Sequence, residues 1–266
     1  MTGRALTLND IRAMKARAER IVCLTAYDAS LARMTEDAGT ELVLVGDSLG
    51  MVVQGHDTTI PVSLDEMVYH TRCTARGLSR ALLIADLPFM SYATAEQAMH
   101  SAARLMKEGG AHIVKLEGGA PQLETVRALA RQGIPVCAHL GLTPQSVHKL
   151  GGYRVQGRGE MAAEMMLEDA RALEHAGADL LILECIPSAL AERITRALAI
   201  PVIGIGAGPS CDGQVLVSYD LLGFTARPPK FASNYAATHG APDKALKAFV
   251  DDVKRGDFPR PEHGFV

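Results

Sequence analysis

Six side chains of this 266-residue sequence could do chemistry together: Asp47, Asp86, Lys115, Glu117, His139 and Glu184. Each stands in or just after a short aliphatic run, and Ser48 follows the first of them. Four carboxylates gathered in one place repel one another unless a cation or a proton offsets them. An all-oxygen ligand set suits a hard divalent cation, most simply Mg²⁺. That ion takes one or two carboxylates and leaves its other positions to water and substrate. Asp47, Asp86 and Glu117 are the candidate ligands. Zn²⁺ is disfavoured, because there is no His-Glu-x-x-His and no Cys/His cluster at ligand spacing. The competing reading pairs these acids with Lys or Arg around a rim. It suits one strand-end carboxylate well and four of them poorly.

Lys115 and Glu117 alternate about Leu116, so both project from the same side of a strand. A lysine there can offset the acids, hold an anionic substrate or form a Schiff base. Glu184 precedes Cys185-Ile186-Pro187, an apolar setting suited to proton transfer. It could equally cap a helix starting near Ser188. His139, between Ala138 and Leu140-Gly141, reads either as a hydrogen-bonded core histidine or as an additional site residue. The Gly204-Ile205-Gly206-Ala207-Gly208 run either cradles a phosphate or lets a strand exit sharply.

The elements that must position these groups are legible as eight aliphatic runs. They are 21–25, 41–46, 81–86, 112–117, 134–139, 179–184, 200–206 and 215–220. They show little polar alternation, as strands buried on both faces of a parallel sheet do. Ala38-Gly39, Gly109-Gly110 and Ala176-Gly177 precede strands, where a helix needs a left-handed cap. Pro135 and Pro201 stand at strand entrances, where a missing N–H costs least. Ser63-x-x-Glu66 and Thr94-x-x-Gln97 have capping-box form.

Eight strands alternating with helices predict an α/β fold, a (β/α)₈ barrel forming one domain over residues 1–266. An open doubly wound sheet is the alternative, and no G-x-G-x-x-G follows the first strand to favour it. An extra helix is expected before Arg20, closing one barrel end. A helical extension is expected over 241–255, with Ala245, Leu246, Phe249 and Val253 on one face. The weak link is the seventh connection, Ala207 to Gln214, shorter than a usual crossover.

Composition narrows the function classes. Twenty-seven Lys+Arg against 30 Asp+Glu give a net charge of -3, which excludes a dominant nucleic-acid-binding surface. Apolar residues at 48% exclude intrinsic disorder. The apolar stretch near 198–208 is too short for a membrane span, and the charged N-terminal stretch does not read as a secretory signal. The five cysteines are odd in number and lack a C-x-x-C pair, so they read as reduced thiols of a cytoplasmic protein packed in its core.

Several ordered motifs carry a resemblance. They are Val45-Gly46-Asp47-Ser48-Leu49-Gly50-Met51 with Gln54-Gly55-His56, Asp86-Leu87-Pro88-Phe89-Met90-Ser91-Tyr92, and Val114-Lys115-Leu116-Glu117-Gly118-Gly119. His139-Leu140-Gly141-Leu142-Thr143-Pro144-Gln145 follows, then Gly151-Gly152-Tyr153, Val155-Gln156-Gly157-Arg158, Leu183-Glu184-Cys185 and Ile203 to Gly208. From about Ile21 onward the chain closely resembles the ketopantoate hydroxymethyltransferases.

The resemblance implies a Mg²⁺-dependent barrel of the phosphoenolpyruvate/pyruvate type, acting at the first committed step of pantothenate synthesis. The implied reaction moves a one-carbon unit from 5,10-methylenetetrahydrofolate, as cosubstrate, onto 3-methyl-2-oxobutanoate. A Mg²⁺-stabilised enolate then gives 2-dehydropantoate. It further implies Asp47 and Asp86 as metal ligands, and Glu117 as a ligand or an acid behind them. Asp47, Ser48, Asp86 and Lys115 would contact the oxo acid, and Glu184 would be the base. A homo-oligomer is implied, commonly a decamer built from dimers, with a C-terminal helix open to exchange between subunits. The chain departs from the pattern in Phe224–Phe231, which carries less glycine before its Pro-Lys-Phe, and at Ser233, where another lysine is common. Those departures concern folate contacts or a lid, not the metal site. The alternatives are a Mg²⁺-dependent aldolase or lyase of 2-oxo acids on the same barrel, and a barrel serving only as a binding module.

Overall fold

The computed structural model describes residues 4–266. Eight parallel strands close into a barrel: β1 (Ile21–Thr25), β2 (Leu42–Val45), β3 (Leu82–Asp86), β4 (Ile113–Glu117), β5 (Val136–Gly141), β6 (Leu180–Glu184), β7 (Val202–Ile205) and β8 (Gly213–Leu216). The ring is sealed by β1 against β8, with Ile21 opposite Gly213 and Leu24 opposite Leu216. Beside that seam Thr25 Oγ1 lies 3.2 Å from Ser218 Oγ. Nearly every strand residue is buried, which is why the runs show so little polar alternation.

The first seven strands lie within two residues of their expected ends at each side. The expected eighth, 215–220, is displaced. The strand runs Gly213–Leu216, and Ser218–Leu221 is a helical turn instead. Gly213 hides the strand start, because it reads as a turn residue. A Cβ there would meet Ile21 O at 2.2 Å, so only glycine lets β8 approach β1. The Asp212 carboxylate anchors the entrance, accepting from Val202 N and Lys15 Nζ, each at 2.8 Å. The short seventh connection is a series of turns, which resolves the weak link.

Helix boundaries follow the expected signals. Ser63 and Glu66 form a reciprocal capping box, and the Asp28 side chain caps the helix Ala29–Ala38. Thr94 accepts from Gln97 N at 3.2 Å without the return contact. Gly39 and Gly177 end helices at φ +109° and +108°.

The N-terminal helix Leu8–Ala16 closes the N-terminal end of the barrel as expected. It buries Ile11 and Met14, and Lys15 Nζ donates to Thr195 O at 3.1 Å and Ile200 O at 2.9 Å. The C-terminal helix Pro242–Arg255 buries Ala245, Leu246, Phe249, Val250 and Val253. It packs on this chain's own barrel, against the helix Ala29–Ala38 and β1. Among the described residues, no helix is long and apolar enough to cross a membrane.

Candidate active site

At the C-terminal ends of the strands, Asp47, Ser48, Asp86, Lys115, Glu117, His139 and Glu184 all line one cavity of about 100 Å³. This is the end of a barrel where loops of different strands meet and chemistry is assembled. Ile182, Ile205 and Val215 give the cavity an apolar wall. These residues are therefore brought together from five different strands, β2 to β6.

The acids are held in specific contacts. Asp86 Oδ1 takes a bond from Lys115 Nζ at 2.8 Å, and its Oδ2 accepts from Asp47 N at 3.1 Å. Asp47 Oδ2 accepts from Gln145 Nε2 at 2.8 Å. Glu117 Oε2 accepts from Gln145 N at 3.0 Å, whereas Glu117 Oε1 is buried with no hydrogen-bond partner. His139 stands between two acids, with Nδ1 3.4 Å from Glu117 Oε1 and Nε2 3.3 Å from Glu184 Oε2. Neither contact is directed as a full hydrogen bond. Glu184 is the acid most open to the cavity, its side chain 16% exposed against 3% for Asp86 and 4% for Glu117. Ser48 Oγ lies 2.9 Å from Tyr27 OH.

The electrostatics follow from that packing. Burial pushes the Asp47 carboxyl well above the usual range, and the nearby Asp86 and Glu117 push it further. Lys115 and Gln145 act the other way. Burial pulls Lys115 down, but Asp86, Glu117 and Asp47 outweigh it and hold the ammonium charged above its ordinary value. For His139, burial and Lys115 favour the neutral ring. The carboxylates of Glu117 and Glu184 outweigh them and raise it to about 9. His139 is thus buried in the barrel and also lines the cavity, so the core reading and the site reading both describe it.

The donor set fits a hard dication. Four carboxylates line the cavity against one lysine and one histidine, so the fully ionised set is two positive charges short of neutral. Glu117 Oε1 is buried without a hydrogen-bond partner, 3.4 Å from His139 Nδ1. Among the described residues, no three His, Cys, Asp or Glu side chains form a closed metal cage.

Other expectations resolve differently. The Gly204–Gly208 run is not free for a phosphate. A Cβ on Gly206 would strike Phe231 at 2.9 Å and Phe265 at 3.1 Å, and one on Gly208 would strike Ser188 Oγ at 2.4 Å. The glycines make room for packing. Glu184 does not cap the helix Ser188–Ala197, because Ser188 N donates to Phe265 O at 3.0 Å. The cysteines are free, and none lines the cavity. Sequence reasoning assigned nothing to Tyr27, Tyr92 or Gln145. Tyr27 and Tyr92 sit in loops and Gln145 in the 3-10 turn Pro144–Ser146, where no periodicity marks a residue as inward-facing; Tyr92 and Gln145 do close two of the quoted motifs.

Residues 5–261 match the family model described as ketopantoate hydroxymethyltransferase. The 3-methyl-2-oxobutanoate hydroxymethyltransferase of Halorhodospira halophila is 60% identical over 264 residues, covering 99% of this chain and 96% of that protein. The enzyme of the same name from Alkalilimnicola ehrlichii is 58% identical over 265 residues, covering 99% and 96%. Among solved structures, a phosphonopyruvate hydrolase in complex with oxalate and Mg²⁺ superposes with a TM-score of 0.61 at 14% identity, covering 80% of this chain and 81% of that one. A 2,3-dimethylmalate lyase of the PEP mutase/isocitrate lyase superfamily superposes at 0.58 and 18% identity, covering 94% and 97%. At such identities these two likenesses concern the fold alone. The family match and the high-identity relatives span almost the whole chain, so the chain belongs to the ketopantoate hydroxymethyltransferase family and is an enzyme, a transferase.

Proposed function

We propose that the enzyme moves a one-carbon unit from 5,10-methylenetetrahydrofolate to C3 of 3-methyl-2-oxobutanoate. Water supplies the hydroxyl, and the products are 2-dehydropantoate and tetrahydrofolate. The observation that carries this reading is the convergence of a paired Lys115–Asp86, two further acids and a more open Glu184 on one cavity. Asp47 and Asp86 would hold Mg²⁺, with Glu117 beside them as a third ligand or behind as an acceptor. A bound Mg²⁺ supplies a Lewis acid for the oxo acid's keto oxygen, where negative charge gathers as C3 loses its proton.

The chain's own residues account for the rest. Lys115 Nζ balances the substrate carboxylate, and Ser48 Oγ, oriented by Tyr27, donates to it. Glu184 takes the C3 proton at a carboxylate oxygen, Oε2 being the one nearest the His139 ring. The imidazolium of His139 keeps that carboxylate in place and offsets its charge. The apolar wall limits water around the carbanionic C3. The new carbon–carbon bond then forms between C3 and the methylene carbon, whose two bonds to the folate nitrogens break. Water supplies the hydroxyl on that carbon, and the water proton and the proton taken from C3 end on the released nitrogens.

The assay follows consumption of 3-methyl-2-oxobutanoate with and without the folate and Mg²⁺. Both are expected to be required, and Glu184→Gln is expected to lose about 10²–10⁴-fold in kcat. Turnover of the oxo acid without folate would point to an aldolase or lyase and refute the transfer. Normal activity in Glu184→Gln would refute the base. We also propose a cytoplasmic homo-oligomer, a decamer by family precedent, which sedimentation of the purified chain tests.

A further inference from the structure

Gln145 takes no part in the chemistry above. It is nevertheless 5% exposed, and each polar atom of its side chain is engaged. Its Oε1 accepts the Tyr92 phenol proton at 2.5 Å. With the oxygen fixed there, the two amide protons go to Asp47 Oδ2 at 2.8 Å and Leu87 O at 2.9 Å. Its backbone N–H donates to Glu117 Oε2 at 3.0 Å, and the Tyr92 oxygen accepts from Glu117 N at 3.4 Å. One residue therefore claims one oxygen of each of two carboxylates. It leaves Asp47 Oδ1 unclaimed, while Glu117 Oε1 faces the His139 ring, with Nδ1 3.4 Å away.

An amide suits this place. It offers two donors and one acceptor without adding charge to an acidic cluster. A hydroxyl would supply a single proton, and a lysine would cancel part of the negative charge that attracts a cation. A carboxylate turns about its terminal torsion with little resistance, so its orientation comes from outside contacts.

We propose that Gln145, with Tyr92 fixing its amide, is a positioning residue that decides which oxygen of Asp47 faces the cavity. In its kinetic consequences the proposal rests on the transfer reaction above. In its geometry it does not. Partners standing behind ligating groups are worth about 10–100-fold in metal affinity when removed.

The test compares Gln145→Met and Gln145→Glu, both close to glutamine in length and volume, with Tyr92→Phe. A role in packing alone would tolerate Met and Glu alike. Positioning predicts that Gln145→Met binds Mg²⁺ alone at least about 10-fold more weakly by calorimetry. It also predicts a raised KM for the oxo acid and an unchanged KM for the folate. Gln145→Glu should be worse than Met, because it sets a second acceptor against Asp47, and Tyr92→Phe should fall between wild type and Met. Crystal structures of wild type and Gln145→Met should show the Asp47 carboxylate turned, with Glu117 still held by the backbone N–H of residue 145. A Met variant with wild-type Mg²⁺ affinity and KM, or with the Asp47 carboxylate unmoved, overturns the proposal. A wild-type enzyme inactive on the oxo acid overturns the functional reading instead, and the carboxylate orientations still decide the role of Gln145.

Discussion

Replacing Lys115 by methionine tests the central electrostatic argument. Lys115 Nζ and Asp86 Oδ1 are 2.8 Å apart, and their side chains are 6% and 3% exposed. Methionine keeps most of the lysine stem, so little packing is lost. What goes is the one positive charge bonded to Asp86 in a cavity shared with Asp47 and Glu117. Removing one partner of a buried pair typically costs about 3–5 kcal/mol, because the other is left charged and uncompensated. For a chain of this size that is a fall in Tm on the order of 10 °C. The double variant Lys115→Met/Asp86→Asn removes both charges and should recover much of the loss, with a coupling of about 2 kcal/mol or more. Urea unfolding followed by circular dichroism, on protein stripped of divalent ions, reads the difference. The deficit should shrink at acid pH, as the Asp47 carboxyl, held above its usual range by burial, takes up a proton. A single variant within about 1 kcal/mol of wild type, or a double variant as unstable as the two singles added, would refute the reasoning.

Three further outcomes are expected. His139 is raised to about 9, above the unfolded value near 6.5, so its stabilising contribution is complete below about pH 6.5 and is lost as pH rises through about 9. His139→Gln should remove a stability difference on the order of 3 kcal/mol between pH 6 and pH 10, and a pH profile parallel to wild type would count against the charged ring. Tyr27→Phe deletes the hydroxyl 2.9 Å from Ser48 Oγ, so unfolding should cost about 1 kcal/mol less and KM for the oxo acid should rise. Calorimetry and initial rates check the two parts separately. Gly206→Ala places a Cβ 2.9 Å from Phe231 at φ +59° and should lower Tm by several degrees, with no effect expected from phosphate, which this loop is not built to hold.

The strand ends were the most legible part of the chain. Asp86, Glu117 and Glu184 close runs of buried aliphatics, so a change from apolar to acidic marks both the end of the strand and its functional tip. Lys115 was legible because strand alternation fixes its side relative to Leu116. Tyr92 and Gln145 were not, because their contact bridges 53 residues and two loops without periodicity. The same holds for Gln145 and Asp47, 98 residues apart. Pairings of that kind exist only once the ring has closed. The eighth strand was misplaced for a different reason: its first residue is a glycine chosen for close backbone approach, which in sequence resembles a turn.

The seam between β1 and β8 has a bearing on how the chain reaches its native state. Thr25 and Ser218, which meet beside it, are 193 residues apart. Contacts so distant in sequence slow folding, since most of the loop entropy is lost before they form. Until β8 arrives, β1 presents an unpaired edge to solvent, and the last strand in place presents another. Such edges invite pairing with other chains. Destabilising the Gly213 approach or the Asp212 anchor should therefore appear first as aggregation during refolding, ahead of any change in the chemistry at the opposite end of the barrel.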